Sequence, residues 1–206
     1  MKPNPREVRM AAITLTVAAV VLWIPLIHLL LGRDGGFLAD LGFRSGPPGT
    51  AVAWVLGVVV AVLYAGYAIR NNPLVREHWL RFSGLKLLGI VAAVGAAVVE
   101  EAFFRRILMD WVLAQGGPAL VQIMVSGMIF GLAHGVWGIV TRRVWVGLKV
   151  MFATGTVGVA LAVVYVVGGR SLAPVIASHF LITASIQPGI MIAAFSGQLG
   201  PRAAVA

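Results

Sequence analysis

Six stretches of the chain are apolar for about as long as a helix needs to cross a bilayer. They run over roughly 10–31, 50–69, 85–113, 118–140, 147–168 and 171–195, against the ~20 residues required to span a ~30 Å hydrocarbon core. In that solvent every backbone N–H and C=O must find its partner inside the protein. Runs of this length therefore predict an all-α bundle of about six transmembrane helices. Helix breakers separate them at Gly46-Pro47-Pro48-Gly49, Asn71-Asn72-Pro73, Gly116-Gly117-Pro118 and Gly168-Gly169.

Composition agrees. The 206 residues are 60% hydrophobic and 11% charged, against roughly 25% charged in soluble domains, so the chain reads as one integral membrane domain over 1–206. The formal charge of +9 does not point to nucleic acid. Its basic residues are scattered between the apolar runs, where they orient a membrane protein and meet lipid head groups. There are no cysteines, which excludes disulfides and thiolate metal ligands. Lys2, Arg6 and Arg9 precede the first run as in a signal peptide. The run is longer than a ~7–15-residue h-region, and Gly32-Arg33-Asp34 is no cleavage site. A retained first helix is expected, with Pro25 as a kink point.

The basic residues also predict orientation. With the N-terminus inside, eleven fall in inner segments: Lys2, Arg6, Arg9, Arg70, Arg76, Arg81, Lys86, Arg142, Arg143, Lys149 and Arg202. Three fall outside, at Arg33, Arg44 and Arg170. Both ends are thus expected on the cytoplasmic side.

Within the third run stand Glu100, Glu101, Arg105 and Arg106. A charge at mid-bilayer costs about 2.5 kcal/mol or more, so such groups face a protein interior or a wet cavity and commonly mark function. Of the four histidines, His28 is expected at the interface and His78 solvated in a basic loop. His134 and His179 lie inside apolar runs. At ~1.5 Å per residue, Glu100 is roughly 21 Å from the inner face, His134 about 12 Å and His179 about 17 Å, so the three share one depth band. Helical spacing predicts a Glu101–Arg105 pair, with Glu100 turned away from it. It also puts Phe130 with His134, and His179 with Thr183, on common faces. Gly127, Gly131 and Gly135 form a small-residue stripe suited to close helix packing.

These residues resemble the motifs of a known family. Glu100-Glu101-x-x-x-Arg105, Phe130-x-x-x-His134 and Ser171-x-x-Pro174-x-Ile176-x-x-His179 are similar, in order and spacing, to the three motifs of the CPBP intramembrane proteases, the CAAX prenyl protease or Abi family. The resemblance covers about 85–195. It implies hydrolysis of a peptide bond in a membrane-associated or lipidated substrate. Glu100 and His134 would activate water, His179 would stabilise the oxyanion, and Glu101 and Arg105 would brace the site. Thr183 stands where the family commonly has an asparagine. The cofactor is none or zinc; if zinc, the ligands are Glu100, His134 and His179. The absence of a His-Glu-x-x-His motif favours the metal-free form. The expected partners are that substrate and membrane lipid, not nucleic acid. An Ala-, Gly-, Val- and Arg-rich composition suggests a bacterial cytoplasmic membrane. Two other classes fit the residues: a catalytically weak family member acting as a membrane scaffold or regulator, to which Thr183 points, and a small carboxylate-based transporter.

Overall fold

The structure is a computed structural model describing residues 4–31 and 49–199. The sequence expectations for Lys2, Arg33, Arg44, Arg202, the Gly32-Arg33-Asp34 segment and most of the Gly46–Gly49 turn lie outside the described residues. Among those described there are only helices and turns. The helices are α1 (Pro5–Leu31), α2 (Ala51–Asn71), α3 (Pro73–His78), α4 (Gly84–Glu101), a π-helical segment (Ala102–Leu108), α5 (Met109–Ala114), α6 (Ala119–His134), α7 (Val136–Val140), α8 (Val144–Val167), α9 (Ala173–Ile186) and α10 (Gly189–Phe195).

Local chemistry sets the ends. Helix α1 starts five residues before the apolar run because Asn4 accepts from the Arg6 amide while Glu7 reaches back to the Asn4 amide, a reciprocal cap. Pro25 lies inside the same helix. Thr50, Asn72 and Ser83 cap α2, α3 and α4 through side-chain oxygens, each satisfying amides the first turn leaves free.

Five helical stretches are long and apolar enough to span a bilayer, and α9 with α10 makes a sixth only as a pair bent by 59°. The sequence reads 171–195 as one run, and Pro188 is the reason it is not one helix. Proline supplies no N–H and disfavours helical backbone before it. The carbonyls released at the end of α9 are taken up by a side chain: Lys86 Nζ donates to Ala184, Ser185 and Gln187 O at 2.5, 3.2 and 2.8 Å. Lys86, expected among the inner-loop cations, is buried. His78 also departs from its expected solvated state. It ends α3, is buried, and sets Nδ1 2.9 Å from Leu74 O, because α10 packs over α3.

Helices α6 and α8 make the tightest contact. A Cβ on Gly127 would meet Val159, and one on Gly131 would lie 2.6 Å from Met151 O and 2.9 Å from Gly155 Cα. The glycine stripe lets the two backbones touch. Helix α1 packs on α4, where Gly95 receives Leu22 and Trp23 and the Trp23 indole donates to Val91 O at 2.8 Å. Helix α9 lies between α4 and α2, with Ser178 seated on Gly57. Just past the C-terminal end of α8, Arg170 has a left-handed backbone (φ 64°) and ties α8 to the preceding hairpin. Its guanidinium donates to Asp110 at 2.9 and 2.5 Å and to Gln122 at 2.9 Å.

Candidate active site

The chain leaves α4 at Glu101 and widens at once into the π-helical segment. Such turns are rare and concentrate at functional sites. Arg105 sits within it, and its side chain and that of Glu101 are both fully buried. Arg105 Nε lies 2.8 Å from Glu101 Oε2, a close ion pair more than an aligned hydrogen bond, and Nη2 reaches Oε1 at 3.5 Å. The rest of the guanidinium is also occupied. Nη1 donates to Ser126 Oγ at 2.7 Å, Ser126 passes a hydrogen bond to Phe104 O at 3.0 Å, and the charge lies 5.2 Å from the centre of the Phe130 ring. Two charges withdrawn from water need such a complete set of partners.

Glu101 has a second partner. His179 Nδ1, from α9, approaches Oε1 at 2.8 Å. A carboxylate accepts only, so the proton is on Nδ1, and Nε2 faces the other way. His134, from the end of α6, is held likewise: its Nδ1 lies 2.9 Å from Phe130 O, which fixes a proton there and turns Nε2 inward. The Phe130 ring lies 4.5 Å from the His134 ring and 5.9 Å from that of His179.

Both Nε2 atoms face one carboxylate. Glu100 Oε2 lies 3.8 Å from His134 Nε2 and 4.0 Å from His179 Nε2. It is buried and has no hydrogen-bond partner among the described residues. Glu100 and Glu101, neighbours in sequence, thus occupy unlike settings. Glu101 is locked in an ion-pair network, and Glu100 stands open to a cavity. That cavity, of about 610 Å³, is lined by Glu100, His134, His179 and Thr183, with α1, α2, α8 and α10 supplying most of its other walls. It also reaches Asn71, Lys149 and Gln198, which line it.

All six sequence-predicted site residues are therefore brought together: Glu100, His134, His179 and Thr183 on the cavity, Glu101 and Arg105 behind it. His28 stands apart, exposed in the last turn of α1. Sequence reasoning missed Ser126 and the part Phe130 plays as a shelf under both imidazoles. A signal was present: Ser126, Phe130 and His134 are spaced i, i+4, i+8 and share one face of α6.

Glu100, His134 and His179 are zinc ligand types. Tetrahedral ligands at 2.0–2.1 Å from a zinc ion stand about 3.3 Å apart, closer than the 3.8 and 4.0 Å here. Among the described residues no three His, Asp or Glu side chains are grouped to hold a metal ion. The residues as placed do not fit that ion.

Among known proteins, neither a curated sequence nor a solved structure matches the chain. A family does. The description "Type II CAAX prenyl endopeptidase Rce1-like" matches residues 82–185, half of the chain, spanning α4 to the last turn of α9 and so every residue of the site just described. The chain is an integral membrane protein that belongs to the Rce1-like family of type II CAAX prenyl endopeptidases.

Proposed function

We propose that the protein is an intramembrane endopeptidase that hydrolyses a peptide bond in a membrane-associated or lipidated substrate, with Glu100 as general base. One observation carries this reading: an unpartnered, buried carboxylate oxygen lies on a cavity wall within 4.0 Å of two imidazole nitrogens. Those gaps are too long for direct hydrogen bonds. A water set off the line between Glu100 and either Nε2 can sit about 2.8–3.0 Å from both.

The steps follow from the proton positions. With Nδ1–H committed to Phe130 O, His134 presents a lone pair at Nε2 and orients the water by accepting from it. Glu100 takes the other water proton as the oxygen attacks the substrate carbonyl carbon. The oxyanion formed is met by His179, which donates from Nε2 when it carries a proton there, and by the Thr183 hydroxyl. Collapse breaks the C–N bond, and Glu100 returns its proton to the departing amine. Glu101 holds His179 in register through Nδ1–H, and Arg105 holds Glu101. The ligand spacing supports a reaction without metal, and no step is routed through one. The setting we infer is a bacterial cytoplasmic membrane.

The test is turnover of a farnesylated or transmembrane peptide by purified protein. Glu100→Gln keeps the shape and removes the base, so the rate should fall by about 10²–10⁴ with an unchanged helical spectrum. Retained turnover refutes the assigned base. Chelator-sensitive activity restored by zinc overturns the metal-free mechanism. Failure of the wild type to cleave any such peptide favours a membrane scaffold, the reading to which Thr183 also points.

A further inference from the structure

Tyr64, on α2, lines the cavity of Glu100 and takes no part in the steps above. The residue is half-buried, and among the described residues its hydroxyl makes no hydrogen bond. A tyrosine withdrawn from solvent usually finds a partner for that group. Here the phenol is an idle donor on the same cavity as Glu100, His134, His179 and Thr183. It stands ahead of residues 82–185, the part of the chain that matches the family.

Two contacts set its level. The first is α2 against α9. Gly49, just before α2, abuts Pro174, and Gly57 abuts Ser178, so the two helices run in the same direction. Tyr64 is seven residues, about 10.5 Å, beyond Gly57, which brings its backbone about level with 183–185. A long side chain leans toward the N-terminal end of its own helix, so the phenol leans back toward Thr183 and His179. The second contact involves α8. Tyr64 packs against the core cluster that holds Val157 and Ile182, both of which line the cavity. Gly158, next to Val157, receives the Phe130 ring, whose Cδ1 lies 3.1 Å from a Cβ placed there, and that ring lies beside both imidazoles. Both contacts put Tyr64 at the imidazole end of the cavity. The other α2 residues on the cavity, Tyr67, Ala68 and Asn71, follow it toward the end of the helix.

We propose that Tyr64 is a catalytic residue whose phenol donates a hydrogen bond to the oxyanion. The Thr183 hydroxyl sits on Cβ, close to its own backbone, whereas the phenol carries its oxygen at the tip of a ring and reaches into the cavity from another helix. Tyrosine is neutral at pH 7 and keeps its proton throughout. It stabilises the charge on the carbonyl oxygen while Glu100 carries the water proton to the departing amine. This role rests on the assignment of Glu100 as the base.

The test uses the full chain in phosphatidylcholine vesicles, a farnesylated peptide, and its phosphonate analogue, whose tetrahedral anion stands in for the oxyanion state. Tyr64→Phe removes one oxygen and keeps the ring. It should lower kcat by about 10²-fold, the lower end for loss of one oxyanion donor, with KM and thermal unfolding unchanged. It should weaken phosphonate binding by about 10–100-fold, the range for a hydrogen bond to a charged group. Affinity for the uncleaved peptide, measured in the Glu100→Gln background, should not move. Thr183→Asn should recover part of the loss in Tyr64→Phe, because a longer side chain then reaches the same oxygen. Turnover by Tyr64→Phe within about twofold of the wild type overturns the donor. So does a loss confined to KM, or one accompanied by a fall in melting temperature, since the hydroxyl would then serve binding or packing. Retained turnover in Glu100→Gln refutes the base assignment alone. A wild type that cleaves no peptide yet binds the phosphonate through the Tyr64 hydroxyl refutes the hydrolytic reading and sustains the anion donor.

Discussion

Replacing Arg105 by lysine keeps one positive charge in a fully buried place and removes the fork. Three contacts define what is lost. The bond from Nη1 to Ser126 Oγ at 2.7 Å is charge-assisted, worth about 1.5–3 kcal/mol. The cation over the Phe130 ring adds about 0.5–1 kcal/mol. The two-point contact with Glu101 becomes one-point, since an ammonium cannot meet both oxygens in a plane. Ser126 retains Phe104 O as its acceptor, which limits the damage. The sum is on the order of 2–4 kcal/mol. At about 2–4 °C per kcal/mol for a chain of this size, thermal unfolding in detergent should start roughly 5–15 °C lower. Arg105→Met should do worse, because it leaves the Glu101 carboxylate without its guanidinium in a buried setting, about 3–5 kcal/mol for such a break. Turnover should fall with both variants, since Glu101 is what holds His179. If Arg105→Lys unfolds within a degree or two of the wild type, or if Arg105→Met is the milder change, the buried network does not carry the load assigned to it.

Two further outcomes are expected. Gly131→Ala places a Cβ 2.6 Å from Met151 O, so α6 and α8 must part, at about 1–3 kcal/mol; Gly66→Ala, with nothing within 4 Å, should be neutral or stabilising by about 0.5–1 kcal/mol, and equal melting of the two variants would contradict the contact. Thr183→Asn offers a longer donor to the oxyanion and should raise turnover or leave it unchanged; a loss measured with the same peptide would show that the threonine hydroxyl is not a weakened form of that donor.

The fold was legible because membrane length and apolarity leave a chain few choices, and the segments with strong patterns, α2, α4 and α8, appear where the runs lie. What the sequence hid was chemistry acting across elements. Lys86 reads as one more inner cation, yet it closes the end of α9, some hundred residues away in sequence. Nothing local to either segment announces that pairing. His78 looks solvated in a charged stretch until α10 folds back over α3. The break at Pro188 was visible as a residue but not as an end, because the apolar composition continues through Gly189–Phe195. The meeting of Glu100, His134 and His179 was suggested by shared depth, a one-dimensional argument. That the imidazoles turn their Nε2 atoms inward depends on Phe130 O and Glu101, partners that spacing alone does not select. The π-helical segment left no readable signature at all: Ala-Phe-Phe-Arg-Arg-Ile-Leu fits an ordinary helix equally well.

The ion pair of Glu101 with Arg105 also bears on how the protein enters its membrane. The continuous stretch Gly84–Ala114 must partition into lipid with Lys86 and Asp110 toward its two ends and, deeper along it, four ionisable groups at Glu100, Glu101, Arg105 and Arg106, each costing about 2.5–3.5 kcal/mol if placed singly at the centre of a helix. Because the pair belongs to a single segment, the two charges can neutralise each other before any neighbour has been made. Their other partners, Ser126 and His179, lie on α6 and α9 and are synthesised later. The segment can thus be delivered to the bilayer with part of its electrostatic burden already compensated and wait there for the helices that complete the site. Biogenesis is then ordered along the chain, with the carboxylate wall laid down first and the imidazoles arriving afterwards.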